Sequence, residues 1–167
     1  MPISEYLRQL REKVGRDLIL IPSVTVLVFD QADRVLLLRH AEGDRWVAPG
    51  GSLEPGERPA DGAVREMWEE TGLWVEPVRI LGVYGGPEFQ WTYANGDRVA
   101  YVMTVFEGQV RGGELRAGDE EVLELGYFSA QQVAALPKAD WLATLLQDVF
   151  ANRQTANFNP PTWHPPP

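Results

Sequence analysis

Apolar residues along the chain recur at two different periods. Ile3, Leu7, Leu10 and Val14 sit three or four residues apart among charges, which predicts a short amphipathic helix over residues 3–14, with Gly15 placed to end it. From Leu18 to Asp30 the run LILIPSVTVLVFD is almost continuously apolar and β-branched and reads as a largely buried strand. Pro22 should lie near one end of it or at a sheet edge, because proline has no N–H to give to a ladder. A turn at residues 31–33 leads to a second strand, RVLLLRH, ending at His40. Residues 42–44 form a polar loop, Trp46 to Ala48 are extended again, and Pro49-Gly50-Gly51 breaks that extension.

Loop then runs to about Arg58. Pro59 suits the first helical position, a helix follows to Thr71, and Gly72 suits a left-handed cap. Val64, Met67, Trp68 and Thr71 follow the i, i+3, i+4, i+7 rule, so this mostly apolar stripe is expected to pack the helix on a sheet. Val75 to Val83 reads as a strand. Phe89 to Tyr93 and Arg98 to Phe106 read as a hairpin turned by Asn95-Gly96, a type I′ signal. Val122 to Phe128 is another strand, and Ser129 can cap a helix through about Leu136. Trp141, Leu142, Leu145, Leu146, Val149 and Phe150 form the apolar stripe of a last helix over about 139–153. No internal repeat is present. The order of elements predicts one α+β or α/β sandwich domain over residues 1–155. A proline-rich tail, 156–167, should be extended. Its Phe158 and Trp163 suggest docking, either on a neighbouring chain or back onto the domain, and with the N-terminal helix they prompt the expectation of a homodimer.

Composition changes this picture little. The 167 residues suit one domain with a real core, and 44% hydrophobic and 23% charged residues are ordinary for a soluble globular protein. No apolar run approaches the roughly 18 residues of a membrane span. The start, MPISEYLRQLREKVG, lacks the apolar core and cleavage site of a secretory signal. The absence of cysteine excludes disulfides and thiolate metal sites and is compatible with the cytoplasm, the expected location. A net charge of −9 argues against binding a nucleic-acid backbone, which needs a basic footprint. It leaves room for a phosphate substrate at a site where bound cations reverse the local sign.

The chemistry is concentrated in GSLEPGERPADGAVREMWEETGL, residues 51–73. On a helix turning about 100° per residue, Glu69 lies about 60° to one side of Glu66 and Glu70 about 40° to the other, so three carboxylates share one arc near 100° wide. Neighbouring like charges destabilise a helix, and a hard divalent cation relieves them: Mg²⁺ prefers oxygen ligands and retains waters for chemistry. For REMWEE alone, the ordinary alternative is a solvated helix face with an Arg65–Glu69 ion pair. The wider pattern decides against that reading: a glycine, a glutamate six residues on, Arg-Glu eight beyond it, then Glu-Glu and Gly-Leu.

This segment resembles the Nudix box. Gly51, Glu57, Arg65, Glu66, Met67, Glu69, Glu70, Gly72 and Leu73 fill every position of the family's pattern, and RVLLLRH ahead of WVAPGG and EEVLELGYFS downstream resemble the family's flanking segments. The resemblance implies a Nudix-type α/β/α sandwich with a mixed sheet. It implies Mg²⁺, or Mn²⁺, on Glu66, Glu69, Glu70 and the carbonyl of Gly51, while Glu57 and Arg65 hold the loop against the helix. The family's general base varies among Glu66, Glu70 and an acid outside the box; Glu66 is taken here. A downstream acid often completes the site, and of Asp119, Glu120 and Glu121 we take Glu120, a plain acidic loop being the alternative.

The implied reaction is hydrolysis of a diphosphate linkage in a nucleotide-like small molecule by metal-activated water, with no covalent intermediate. No nucleophilic triad is suggested, since His40 ends a strand and His164 lies in the tail. The box does not specify the substrate. Phe89, Trp91, Tyr93 and Tyr101 could stack on a base or simply pack in the hairpin, and Arg39, Arg45 and Arg98 could contact phosphates. Pro87 lies 14 residues beyond Leu73, near but not at the spacing of members that cleave ADP-ribose. Nucleoside triphosphates and ADP-ribose-like nucleotide sugars therefore lead. A non-catalytic nucleotide-binding or regulatory module is the main alternative, weakened because all box glutamates are present. The family's isoprenoid diphosphate isomerases generally use a cysteine, and nothing basic here suggests the RNA binding of a decapping member.

Overall fold

The computed structural model describes residues 4–118 and 121–165. In chain order the elements are α1 (Glu5–Val14), β1 (Ile19–Val28), β2 (Val35–His40), β3 (Arg45–Val47), β4 (Gly50–Ser52), α2 (Pro59–Thr71), β5 (Leu73–Tyr84), β6 (Gln90–Thr92), β7 (Arg98–Gly113), β8 (Val122–Phe128), α3 (Ala130–Ala135) and α4 (Asp140–Ala151). No helix among the described residues is long and apolar enough to cross a membrane.

The apolar run at 19–28 becomes an interior strand of a mixed sheet ordered β4-β1-β7-β5, with β6 also pairing β7. β1 and β7 run parallel over ten register pairs, while β4, β5 and β6 pair antiparallel. Pro22 lies inside β1 rather than at its end. Its missing donor costs nothing there, because β4 pairs β1 only from Ser23 to Thr25, and the Pro22 carbonyl accepts from the Leu53 N–H at 3.1 Å. A second, antiparallel sheet is ordered β3-β2-β8.

Successive residues of β1 face opposite sides. Val24, Val26 and Val28 pack with Leu36, Leu73, Val75 and Phe106 against Ala63 and Met67 of α2. Leu27 packs on the other side with Leu37, Leu81, Tyr84 and Val105 against Leu142, Leu145, Leu146 and Val149 of α4. Helices thus cover both sides of the sheet, the α/β/α arrangement expected.

Two further local expectations are corrected. The core-facing residues of α2 are Ala63, Glu66, Met67 and Thr71, with Glu70 half-buried, and Trp68 is 50% exposed. The hydrophobicity of Trp68 suggested a stripe one residue out of phase; the helix instead turns Glu66 inward. At the β6–β7 hairpin the Gly96 N–H donates to the Tyr93 carbonyl and only Gly96 of the turn has positive φ, 88°. This is a type I turn closed by a left-handed glycine, not type I′. Helix α1 forms, capped by Ser4 and ended by Gly15, but buries none of its residues. Arg11 fastens it by donating to the carbonyls of Gly15, Asp17 and Arg98.

The tail leaves α4 and crosses the edge of β5. The Asn157 N–H donates to the Leu81 carbonyl and its own carbonyl accepts from Val83, while Phe158 and Trp163 stay 74% exposed.

Candidate active site

Helix α2 begins at Pro59 and ends at Gly72, which adopts φ 69° and donates its N–H to the Trp68 carbonyl. Packing of Ala63 and Met67 fixes its rotation, and that rotation brings Glu66 against β4. A Cβ at Gly51 would lie 2.4 Å from Glu66 Oε1, so strand and carboxylate touch only because residue 51 has no side chain. Glu70, one helical turn on, accepts from the Gly50 N–H at 2.9 Å.

Arg65 is the hub of the loop. Its Nε and Nη2 donate to the two carboxylate oxygens of Glu57 at 2.8 and 2.9 Å, and Nη2 also donates to the Ser52 carbonyl. Nη1 donates to Glu66 Oε1 at 2.8 Å and to Glu69 Oε2 at 3.1 Å. Such bidentate, charge-assisted bonds are strong and directional. The Arg65 guanidinium holds Glu57 below its usual pKa. Burial pushes Glu66 up to about 7, against the opposing pull of Arg65.

Among the described residues no group of three histidine, aspartate or glutamate side chains is already arranged around a metal position. Arg65 occupies oxygens of Glu57, Glu66 and Glu69 in that arrangement. The donor set nevertheless fits a hard cation. Glu66 Oε2 is buried with no hydrogen-bond partner, an expensive state for a carboxylate oxygen, and it lies on the side chain that Gly51 cradles.

These groups form one end of a cleft of about 790 Å³. The other end is aromatic. The Arg45 guanidinium lies 5.8 Å from the Trp91 ring centroid, and Phe89, Tyr93, Tyr101 and Trp141 add further ring surface. The Tyr93 and Tyr101 hydroxyls bond each other, and burial raises both phenol pKa values. Ser23 and Thr25 of β1 also line the cleft.

The NUDIX domain model matches residues 20–149, from β1 to α4. The chain belongs to the Nudix family. It is 45% identical over 62 residues to a MutT-like protein of Streptomyces ambofaciens, covering 37% of this chain and 40% of that one. It is 33% identical over 104 residues to a putative 8-oxo-dGTP diphosphatase of Bacillus subtilis (strain 168), covering 62% and 63%. These matches span less than two thirds of either relative. The fold is similar to that of a solved NUDIX hydrolase from Nitrosomonas europaea, with TM-score 0.65 and 26% identity over 81% of this chain and 91% of that one.

Of the residues expected in the Nudix site, Gly51, Arg65, Glu66, Glu70, Arg45, Trp91 and Tyr93 line the cleft. Glu57 lies behind Arg65, and Glu69 points outward with 40% of its side chain exposed. Arg39 and Arg98 are not brought in. Arg39 is tied to Asp44 and Glu124 across the β2–β8 pair, and the Arg98 side chain reaches back to the Arg16 carbonyl. Glu120 and Asp119 lie outside the described residues. Glu121 lines the cleft, with His40 Nε2 at 3.4 Å. Reading the sequence also missed Arg11, Ser23 and Trp141 at the cleft. The polar alternation of Ser23 and Thr25 within an otherwise apolar strand was a usable signal; for Arg11 there was none.

Proposed function

We propose that this Nudix chain is a divalent-metal-dependent hydrolase cleaving a diphosphate linkage in a nucleoside diphosphate derivative, either a nucleoside triphosphate or an ADP-ribose-like nucleotide sugar. The observation that carries the reading is the buried, unpartnered Glu66 Oε2 against Gly51. Mg²⁺ or Mn²⁺, when bound, supplies positive charge to phosphoryl oxygens and acidifies water. Glu66, Glu69, Glu70 and the Gly51 carbonyl are the residues that would hold it, with Glu120 as the downstream acid.

The chain's own residues do the rest. Glu66 is also taken as the group that accepts a proton from the attacking water, with its carboxylate oriented by the Arg65 hydrogen bond to Oε1. Arg65 and Glu57 lock the loop, so that Glu66 meets the attacking water without reorganisation. The water oxygen bonds to phosphorus, the bridging P–O bond breaks, and the departing phosphate carries its charge out of the cleft. Arg45 and Trp91 contact the substrate's remote half. Among the described residues, Arg45 is the cleft arginine without a carboxylate partner, since Arg11 faces Asp97 and Arg65 pairs with Glu57, Glu66 and Glu69. That balance suits one diphosphate and a flat ring better than a densely phosphorylated ligand. The relative named a putative 8-oxo-dGTP diphosphatase agrees in kind.

The test is product release from nucleoside triphosphates, nucleotide sugars and dinucleotides with Mg²⁺, with Mn²⁺ and with EDTA. Cleavage of one class that EDTA abolishes is expected. No cleavage by a folded, metal-binding protein would overturn the reading in favour of a binding module. We also propose a homodimer. Leu20, Val102, Val83 and Ile80, on one face of the sheet by register, are 42–70% exposed, as are Phe158 and Trp163 of the tail at 74%. Light scattering at micromolar concentration should give twice the chain mass; a monomer refutes it.

A further inference from the structure

Among the described residues two buried side-chain polar atoms have no hydrogen-bond partner, Glu66 Oε2 and Ser23 Oγ. Both residues line the same cleft. The proposed metal accounts for the first but not for the second.

Ser23 is 3% exposed and is register-paired with Met103 of β7 on one side and Ser52 of β4 on the other. The hydroxyls around it are already engaged. Thr25 donates to Met103 Sδ, and Tyr93 and Tyr101 bond each other. Ile21 and Leu27, on the same face of the strand as Ser23, show what it uses where packing alone decides. A serine at 23 gives up apolar contact, and it leaves a donor and an acceptor unmet. Both losses are recovered if a ligand in the cleft completes the hydrogen bond.

We infer that Ser23 Oγ is a specificity-determining group that hydrogen-bonds the polar ring edge of the substrate's nucleobase, with Trp91 and Arg45 contacting the same half of the molecule. The inference rests on the proposed function only in taking the ligand to carry such a ring. Register supports the placement. By register Ser23 shares a strand face with Ile19, Val99 and Trp91 and pairs with Ser52, the neighbour of Gly51, so the hydroxyl lies where the aromatic end meets the carboxylate end. A hydroxyl both donates and accepts, so it discriminates between bases by the single edge group it meets, and it adds no charge to a cleft with few unpaired cations.

The test is binding without turnover. Calorimetric titration of AMP, GMP, CMP and UMP into the full chain in EDTA is compared for wild type, Ser23→Ala and Ser23→Thr, together with each protein's thermal midpoint. Wild type should prefer one base. Ser23→Ala should weaken that monophosphate by about tenfold and the others by less than about twofold, so the preference collapses. Its midpoint should equal or exceed wild type, because an unmet hydroxyl is gone, and Ser23→Thr should restore the preference. A lowered midpoint in Ser23→Ala would mean an internal partner and overturn the inference. Equal weakening of all four, unchanged binding, or no binding by wild type would overturn it as well. Failure here and failure of the hydrolase reading are distinct. Metal-dependent hydrolysis with unaltered base preference in Ser23→Ala removes only Ser23's role. Selective binding through Ser23 with no hydrolysis removes only the enzyme.

Discussion

The two ends of the cleft are built by opposite strategies. At the carboxylate end, Gly51, Glu57, Arg65, Glu66 and Glu70 come from twenty consecutive residues, and Arg65 and the Gly50 N–H hold the Glu57, Glu66 and Glu70 side chains in place. At the aromatic end, Ser23, Arg45, Trp91 and Tyr101 come from four strands far apart in sequence. Among the described residues there, one buried hydroxyl, Ser23 Oγ, is unmet. Charge chemistry requires groups fixed relative to one another, which one helix and its entry loop can guarantee locally. Recognition needs a surface, and a surface can be assembled from wherever strands meet.

If that division is right, substitutions at the two ends should separate in kinetics. Glu70→Gln should lower kcat by about 10²–10³-fold, in the range for losing one electrostatic group of a preorganised site. Folding should be preserved, since the amide oxygen can still accept from Gly50. Near wild-type turnover in saturating Mg²⁺ would remove Glu70 from the principal ligands. Met67→Ala probes what holds the carboxylate end in place. Met67 is fully buried between α2 and the sheet, and its loss should cost about 2–5 kcal/mol in urea unfolding, with kcat per folded molecule much less affected. Trp91→Ala should instead act on recognition. Loss of base stacking, about 1–3 kcal/mol, predicts a KM raised roughly tenfold with kcat within about twofold. A kcat loss comparable to that of Glu70→Gln would break the comparison, since the aromatic end would then be part of the chemistry.

The same contrast explains what was legible in the sequence. The box could be read because its spacing is local: an ion pair from Glu57 to Arg65 and three glutamates on neighbouring helical positions need no knowledge of the tertiary fold. Strands β1, β2, β5 and β8 were legible from their apolar runs, and Ser129 as a cap from its side chain, which accepts from Gln132. The aromatic end was legible only in part. Trp91, Tyr93 and Arg45 were chosen by residue type, and so were Arg39 and Arg98, which the sheets direct to other partners. Nothing in single-sequence pattern says that Arg11, from a helix that buries no residue, will reach the cleft. Likewise the backbone pairing of Asn157 with the β5 edge depends on where α4 ends in space.

Trp68 gives the smallest expected effect and a test of how α2 is turned. Ranked by hydrophobicity it belongs to the packing face, and the stripe Val64, Met67, Trp68 and Thr71 follows from that. The structure uses Ala63, Glu66, Met67, Glu70 and Thr71, the same i, i+3, i+4, i+7, i+8 pattern shifted back by one residue, with two carboxylates among its members. That shift puts Glu66 at the sheet, where burial makes its unpaired oxygen costly without a cation and useful with one. Trp68 is left half in solvent. Trp68→Ser should therefore change stability by no more than about 0.5 kcal/mol, as at ordinary surface positions, and leave kcat and KM at wild-type values. Denaturant unfolding decides the matter. A loss of the size expected for Met67→Ala would mean that α2 presents its apolar stripe after all. Glu66 would then face solvent, and the burial on which the proposed metal site depends would be gone.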